Sequence, residues 1–219
     1  MFTGIIAATG EIADLLPGGG DLRLRIRTGK LDLSDVHLGD SIAVNGVCLT
    51  VVELPGDGFW ADVSGETLEK TCVGQWKKSQ TVNLEKALTP TTRLGGHLVS
   101  GHVDGIGAVI KRWQDARSVR FEIEVPDELA RYIAHKGSVC VDGTSLTVNK
   151  VNGAVFELNI VPHTLQETVM NGYQQGTQVN IEVDLLARYL ERLLLGEQAA
   201  NKNAGIDMAF LQEHGFVKN

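Results

Sequence analysis

The sequence predicts a duplicated all-β protein: two tandem copies of a small closed barrel, followed by an amphipathic helix. Three observations carry that prediction. The octet VNGVCLTV at 44–51 returns as VDGTSLTV at 141–148, 97 positions later (141 less 44). Turn-forming residues recur every ~8–12 residues between short runs rich in Val, Ile and Thr. After Asp184 the alternation gives way to helical spacing, with Leu186, Leu190, Leu193 and Leu194 in LLARYLERLLL.

The repeat extends well beyond the octets and needs no gap. Thr3-Gly4 falls on Ser100-Gly101, Leu22-Arg23-Leu24 on Val119-Arg120-Phe121, and Ser41 on Ser138. Gly56 and Phe59 fall on Gly153 and Phe156, and Thr67-Leu68 with Thr71 on Thr164-Leu165 with Thr168. Val82-Asn83-Leu84-Glu85 falls on Val179-Asn180-Ile181-Glu182. A period this long with two copies indicates a duplicated domain, because a solenoid needs shorter units and at least three of them.

The elements follow from punctuation. Pro17-Gly18-Gly19-Gly20, Gly39-Asp40, Asn45-Gly46 and Pro55-Gly56-Asp57-Gly58 separate the strands of the first copy. Asn45-Gly46 and Asp142-Gly143 are hairpin dipeptides, since both residues tolerate positive φ. About six short strands per copy fit a barrel, which leaves no open sheet edge. A short helix is expected near 30–38, matching PDELARYIAHKG at 126–137, and another after Glu66-Thr67-Leu68. The polar segment TPTTRLGGH at 89–97 joins the copies, giving a first barrel at 1–97 and a second at 98–194 that runs into the helix. The tail at 195–219 begins with an interruption from Gly196 to Gly205, and AFLQEHGF at 209–216 is expected as a last short helix. The Leu-rich helix serves either as an oligomerisation element or as packing for its own barrel.

Composition narrows the function. Of 219 residues, 43% are hydrophobic and 21% charged, enough for a packed core, and the net charge of −7 disfavours nucleic acid and anionic membranes. No run reaches the ~18 apolar residues of a membrane span, and MFTGIIAATGEI has no cationic start resembling a signal peptide. Cys48, Cys72 and Cys140 are few and scattered, which points to a reducing cytoplasm rather than a disulfide framework. There is no GxGxxG after a strand and no GxxxxGK[ST], so neither a dinucleotide site nor a P-loop is expected.

Strand alternation assigns the octets two faces. Val47, Leu49 and Val51 share one, and Cys48 and Thr50 the other; Leu146 and Val148 lie opposite Ser145 and Thr147. Each copy therefore buries aliphatic side chains and presents two small polar groups. Such groups let a ligand approach the sheet closely, although an ordinary solvated strand face would look the same. The copies differ at titratable positions: Ile5 pairs with His102, Cys48 with Ser145, Asp62 with Asn159, Glu66 with His163 and Ala87 with Asp184. Two pockets alike in shape but unlike in chemistry suit two molecules of one ligand in different roles. His97 and His102 in GGHLVSGHVDG lie five apart, on opposite faces of an extended strand, and no Cys or carboxylate cluster completes a metal site. Cys48 is either a nucleophile or a small buried residue.

MFTGI, VNGVCLTV, GGHLVSGHVDG, VDGTSLTV and the paired ETL and HTL closely resemble the riboflavin synthase family along the whole chain. The resemblance implies two six-stranded Greek-key barrels plus a C-terminal helix, assembled as a homotrimer. It implies dismutation of two 6,7-dimethyl-8-ribityllumazine molecules to riboflavin and 5-amino-6-ribitylamino-pyrimidinedione by four-carbon transfer. This is the last step of riboflavin biosynthesis, and it uses no metal or organic cofactor. Each barrel binds one lumazine, and the working site pairs the first barrel of one subunit with the second barrel of its neighbour. Lumazine synthase is a candidate partner. Matching first-barrel positions are Gly4, Ile5, Ile6, Ser41, Cys48, Leu49, Thr50 and Asp62, Val63, Ser64, Gly65, Glu66 and Thr67. Matching second-barrel positions are Gly101, His102, Val103, Lys136, Ser145, Leu146, Thr147, then Ile160, Val161, Pro162, His163, Thr164 and Leu165, with Asp184. His102 is the candidate for proton transfer, and Ser41 and Cys48 for stabilising or delivering a nucleophile. Many members carry Cys-Cys where this chain has Val47-Cys48, so a mechanism requiring two thiols does not transfer. The alternatives are a non-catalytic lumazine- or flavin-binding paralogue and a barrel scaffold without a small ligand.

Overall fold

A computed structural model describes residues 1–200 and residue 212, so the helix expected at 209–216 and most of the tail lie outside the described residues. The first copy opens with β1 (Ala8–Gly18) and β2 (Asp21–Arg27). In β2, Leu22, Leu24 and Ile26 point inward and the arginines between them outward, the pattern of a strand with one dry face. Next come β3 (Ser41–Val44), β4 (Val47–Thr50), β5 (Gly58–Val63) and, after a helical segment, β6 (Thr81–Lys86). The sheet order is β4-β3-β6-β1-β2-β5, with β6 crossing back between β3 and β1. Beyond β4 the chain pairs with β5 through Val52 N–H to Trp60 O and Trp60 N–H to Glu53 O, both 2.9 Å, which closes the barrel.

The second copy repeats this plan with β7 (Gly105–Asp115), β8 (Ser118–Glu124), β9 (Ser138–Val141), β10 (Thr144–Thr147), β11 (Lys150–Asn152), β12 (Val155–Ile160) and β13 (Gln178–Val183). Its order is β10-β9-β13-β7-β8-β12-β11. The seventh strand, one more than expected, is the closing segment grown to full pairing; in the first copy it is the single bridge Glu53–Trp60. Bulges interrupt β1 between Ile12 and Asp14 and β7 between Val109 and Lys111, at equivalent positions, and bend each long strand. Ile12, Leu24, Ile26, Phe59 and Leu84 anchor one core, and Val109, Phe121, Ile123, Phe156 and Ile181 the other.

The helices divide by local chemistry. α1 (Gly65–Lys70) contains Glu66-Thr67-Leu68 rather than following it, and Ser64 caps its start. α2 (Asp127–Ala130) forms after Pro126, and α3 (Pro162–Glu167) begins with Pro162 in its first turn. The helix expected near 30–38 is absent: residues 30–40 hold only turns. There the Asp32 carboxylate accepts from Ser34 N–H and Oγ–H, both at 2.9 Å, and the Asp40 carboxylate accepts from His37 N–H at 2.8 Å. These side-chain bonds satisfy the backbone locally and displace the helical ladder. α4 (Leu185–Leu194) is a separate unit from Met1–Asp184 and buries none of its residues, with Leu186, Leu190 and Leu193 each at least 60% exposed. No helix among the described residues is long and apolar enough to cross a membrane.

The barrels meet about an approximate twofold axis through their hairpin tips. Asn45-Gly46 and Asp142-Gly143 all take positive φ, between 42° and 81°, and a Cβ on Gly46 would lie 2.7 Å from Gly143 N. Around this contact Asn83 Nδ2 donates to Asp142 O (2.8 Å) and Asn180 Nδ2 to Asn45 O (2.9 Å). Symmetry fails at one group. Asn45 accepts Asn83 N–H in the first copy, whereas Asp142 accepts Asn180 N–H and Tyr173 Oη–H in the second. Burial pushes the Asp142 carboxyl up to about 7 from the usual 3.8. The folded state thus keeps a proton that the unfolded chain has released. Stability contributed by this group declines as pH rises from about 4 to about 7 and stays low above. Asp142→Asn, which copies Asn45, should abolish that slope and stabilise the protein by up to a few kcal/mol at pH 8. Urea melts of both proteins at pH 5 and pH 8 test this; an equal wild-type-minus-variant difference at the two values would refute it.

Candidate functional site

Each entry segment crosses to the other barrel. Gly4 O accepts the N–H of Ser145 at 2.7 Å, and Gly101 O accepts the N–H of Cys48 at 2.9 Å. The side chains follow the same rule. A Cβ on Gly4 would come within 2.6 Å of Ser145 Cβ, and one on Gly101 within 2.6 Å of Cys48 Cβ, and both glycines have positive φ. The grouping expected from the repeat is therefore exchanged. Gly101, His102 and Val103 join Cys48 on the first barrel, and Gly4 joins Ser145 on the second. Sequence equivalence identifies matching residues, but it carries no information about which copy a swapped segment lies against.

The Cys48 cleft is a cavity of about 270 Å³ lined by Val47, Cys48, Glu66, Thr67, Lys70, Thr71, Gly101, His102 and Val103. β4 presents Cys48 and exposed Thr50 away from the core, while Val47 and Leu49 are buried, as alternation predicts. Glu66 stands in the first turn of α1, and the Thr71 hydroxyl donates to Thr67 O at 2.6 Å. Asp62 is exposed on β5, paired in register with Arg23, and Val63 lies in the core. Ser41 stands opposite Thr50 across the β3–β4 pair, yet it lines a different cavity of about 740 Å³ shared with Ile5, Lys86 and Arg93. Ser41 is not brought to the Cys48 cleft.

The surroundings of Ser145 repeat this plan with different groups. Ser145 is half-buried, Thr147 exposed and Leu146 packed against the second core. α3 places exposed His163 where α1 has Glu66, and Thr168 Oγ–H donates to Thr164 O at 2.7 Å. Ile160 and Leu165 are core residues, whereas Val161 is exposed and Pro162 starts the helix. Lys136 is exposed with φ +66°, at the place of Gly39, and its N–H donates to Val148 O at 2.8 Å.

His97, named from the sequence only in setting aside a metal site, is half-buried beside Ser145. His97 Nδ1 lies 2.7 Å from Ser145 Oγ, and its Nε2 is buried without a hydrogen-bond partner among the described residues. Burial holds this imidazole below its usual range, against the opposing pull of Asp184. His97 is therefore neutral near pH 7 and able to share a proton with the serine hydroxyl. No group of three or more His, Cys, Asp or Glu side chains suited to a metal ion occurs among the described residues.

The fold and its paired junctions define a tandem lumazine-binding-domain protein: the lumazine binding domain family matches residues 3–87 and again 100–184. Riboflavin synthase of Photobacterium phosphoreum is 50% identical over 217 residues, 99% of this chain and 100% of that one. Riboflavin synthase of Bacillus subtilis (strain 168) is 39% identical over 216 residues, 99% of this chain and all of its own. The chain belongs to the riboflavin synthase family. Among solved structures, LumP complexed with riboflavin superposes with a TM-score of 0.78 at 24% identity, covering 84% of this chain and 99% of that one, a likeness of fold.

Proposed function

We propose that this protein is a riboflavin synthase, converting two 6,7-dimethyl-8-ribityllumazine molecules into riboflavin and 5-amino-6-ribitylamino-pyrimidinedione. The supporting observation is the pair of crossed junctions, Gly101 on Cys48 and Gly4 on Ser145, which sets two similar residue groups of unlike chemistry on one chain. One substrate must donate a four-carbon unit and the other accept it, so similar shape and different titratable groups are both required. Proximity supplies most of the rate, since holding two rings face to face makes a bimolecular step effectively unimolecular. The acidic C7 methyl of the lumazine limits the protein's task to positioning and modest acid–base help.

Within this reading, Gly101–Val103, Cys48–Thr50 and Asp62–Thr67 bind one lumazine. Gly4–Ile6, Ser145–Thr147 and Ile160–Leu165 bind the other, with Lys136 and Asp184 contributing from the second barrel. His102 transfers protons at the Cys48 cleft, Cys48 engages the ring there, and the His97–Ser145 pair offers a second proton site. Ser41 acts from the adjoining cavity. A cleft of about 270 Å³ is small against the ~300–1,000 Å³ usual for ligand pockets. That supports a site completed by the facing cleft of a neighbouring subunit in a homotrimer, with 1–97 and 98–194 as the two working barrels and 195–219 as tail. The exposed leucine stripe of α4 is the proposed trimer contact, lumazine synthase a proposed partner and the cytoplasm the proposed location.

Incubating the purified protein with the lumazine alone should yield riboflavin and the pyrimidinedione in equal amounts. Calorimetry with an unreactive lumazine analogue should count two molecules per chain at saturation. Tight binding without product would identify a non-catalytic binding protein, and one site per chain would refute the paired-cleft reading. Deleting residues 185–219 should give monomers by light scattering and should lower activity in parallel; an unchanged oligomer would exclude α4 as the contact.

A further inference from the structure

Two buried carboxylates hold the crossed segments, and neither lines the Cys48 cleft. Glu182 Oε1 accepts from Ser100 N–H (2.6 Å) and Ser100 Oγ–H (2.7 Å), and its Oε2 accepts from Gly101 N–H (2.9 Å). Ser100 Oγ in turn accepts the N–H of His102 at 3.2 Å. The first copy repeats every bond. Glu85 Oε1 accepts from Thr3 N–H (2.7 Å) and Oγ–H (2.6 Å), Oε2 from Gly4 N–H (2.9 Å), and Thr3 Oγ from Ile5 N–H (3.1 Å). The two carboxylates are only 4% and 7% exposed.

A helix or sheet would give such a segment many ladder bonds. Here residues 100–104 belong to no strand, so their conformation rests on these contacts, on the junction at Cys48 and on Asp104, whose N–H donates to Ile181 O at 2.8 Å and whose carboxylate accepts from Val183 N–H at 2.7 Å. A buried carboxylate that accepts three hydrogen bonds at once is a stiff anchor, because removing any donor leaves charge unsatisfied. Glu182 thereby fixes the backbone of the residue that carries the imidazole, whereas Glu85 fixes a residue with an aliphatic side chain.

We propose that Glu182 is a positioning residue for His102, acting through Ser100 and Gly101, and that Glu85 performs the same mechanical task at Ile5 without a share in proton transfer. The proposal rests on the reading of His102 as the proton-transferring group. Because the two anchors have the same geometry, a merely structural role would make their variants alike in every respect. A positioning role would make them alike in stability and unlike in turnover.

The test compares Glu182→Gln with Glu85→Gln, and Ser100→Ala with Thr3→Ala, in the full-length protein. The alanine pair removes the hydroxyl relay, together with one buried methyl at Thr3, and keeps each carboxylate bound to backbone N–H, so it remains informative where a glutamine variant fails to fold. Melting temperatures should fall by similar amounts within each pair. Turnover should drop by about 100-fold in the Glu182 and Ser100 variants, the cost of ~1 Å of misplacement, and much less in the Glu85 and Thr3 variants, whose main effect should be on KM. The ring carbon-bound proton resonance of His102, assigned by comparison with His102→Gln, should shift in Glu182→Gln and Ser100→Ala but not in their counterparts. A second cycle, His102→Gln combined with Ser100→Ala, should be no slower than His102→Gln alone. Equal losses across both pairs, or an unmoved His102 resonance, would overturn the proposal. A shifted resonance in a protein whose His102→Gln variant keeps full turnover would leave the anchoring intact and refute the proton-transfer role instead.

Discussion

His102→Gln should fold, bind lumazine nearly as wild type and lose about 100- to 10,000-fold in turnover, the usual contribution of a positioned acid or base. The reason lies in the repeat. Thr50 and Thr147 are equivalent, but the counterpart of His102 is Ile5, so no symmetric residue replaces the imidazole. His102 is exposed at the mouth of the Cys48 cleft and fills no core position, which separates its chemistry from stability. Single-turnover riboflavin formation and a thermal melt decide the matter together. Unchanged turnover would move proton transfer to the His97–Ser145 pair, to water or to the substrate. Joint loss of binding and melting temperature would make His102 a packing residue.

Gly101→Ala should destabilise the protein by about 2–5 kcal/mol. Two costs add: a left-handed backbone penalises a Cβ by ~1–2 kcal/mol, and overpacking costs ~1–3 kcal/mol. The second applies because the new methyl would lie 2.6 Å from Cys48 Cβ and 2.8 Å from a ring carbon of Phe2. Gly153→Ala is the control, since it has φ +60° but open space around the Cβ, and should show the first cost alone. Urea melts read both. Should the two variants be equally destabilised, close approach of the crossed segment to Cys48 is not what requires glycine.

The sequence carried much of the fold because barrel strands announce themselves locally. Leu22, Leu24 and Ile26 alternate with arginines, and the two hairpins need Asn-Gly and Asp-Gly at their tips. The helix expected near 30–38 failed where Asp32, Ser34 and Asp40 offered the backbone competing partners, a contest that apolar spacing does not register. Site residues were legible as types, since small polar groups on a strand face and unequal repeat partners are properties of sequence. Their grouping was not. Gly4 beside Ser145 and Gly101 beside Cys48 depend on two entry segments exchanging places, a long-range event with no local signature. The role of His97 was hidden for the same reason: its partner Ser145 is 48 positions away.

The contact of Gly46 with Gly143 bears on what duplication made available. An isologous pair of identical chains would present the same residue twice at every such junction, so a change suited to one cleft would be imposed on the other. Joining the halves covalently removes that constraint while keeping the shared scaffold. Cys48 can then diverge from Ser145, Ile5 from His102, and Asn45 from Asp142, each half supplying the entry segment that the other cannot supply for itself. The chain is in this sense a heterodimer whose subunits are always present in equal number and always in the correct orientation.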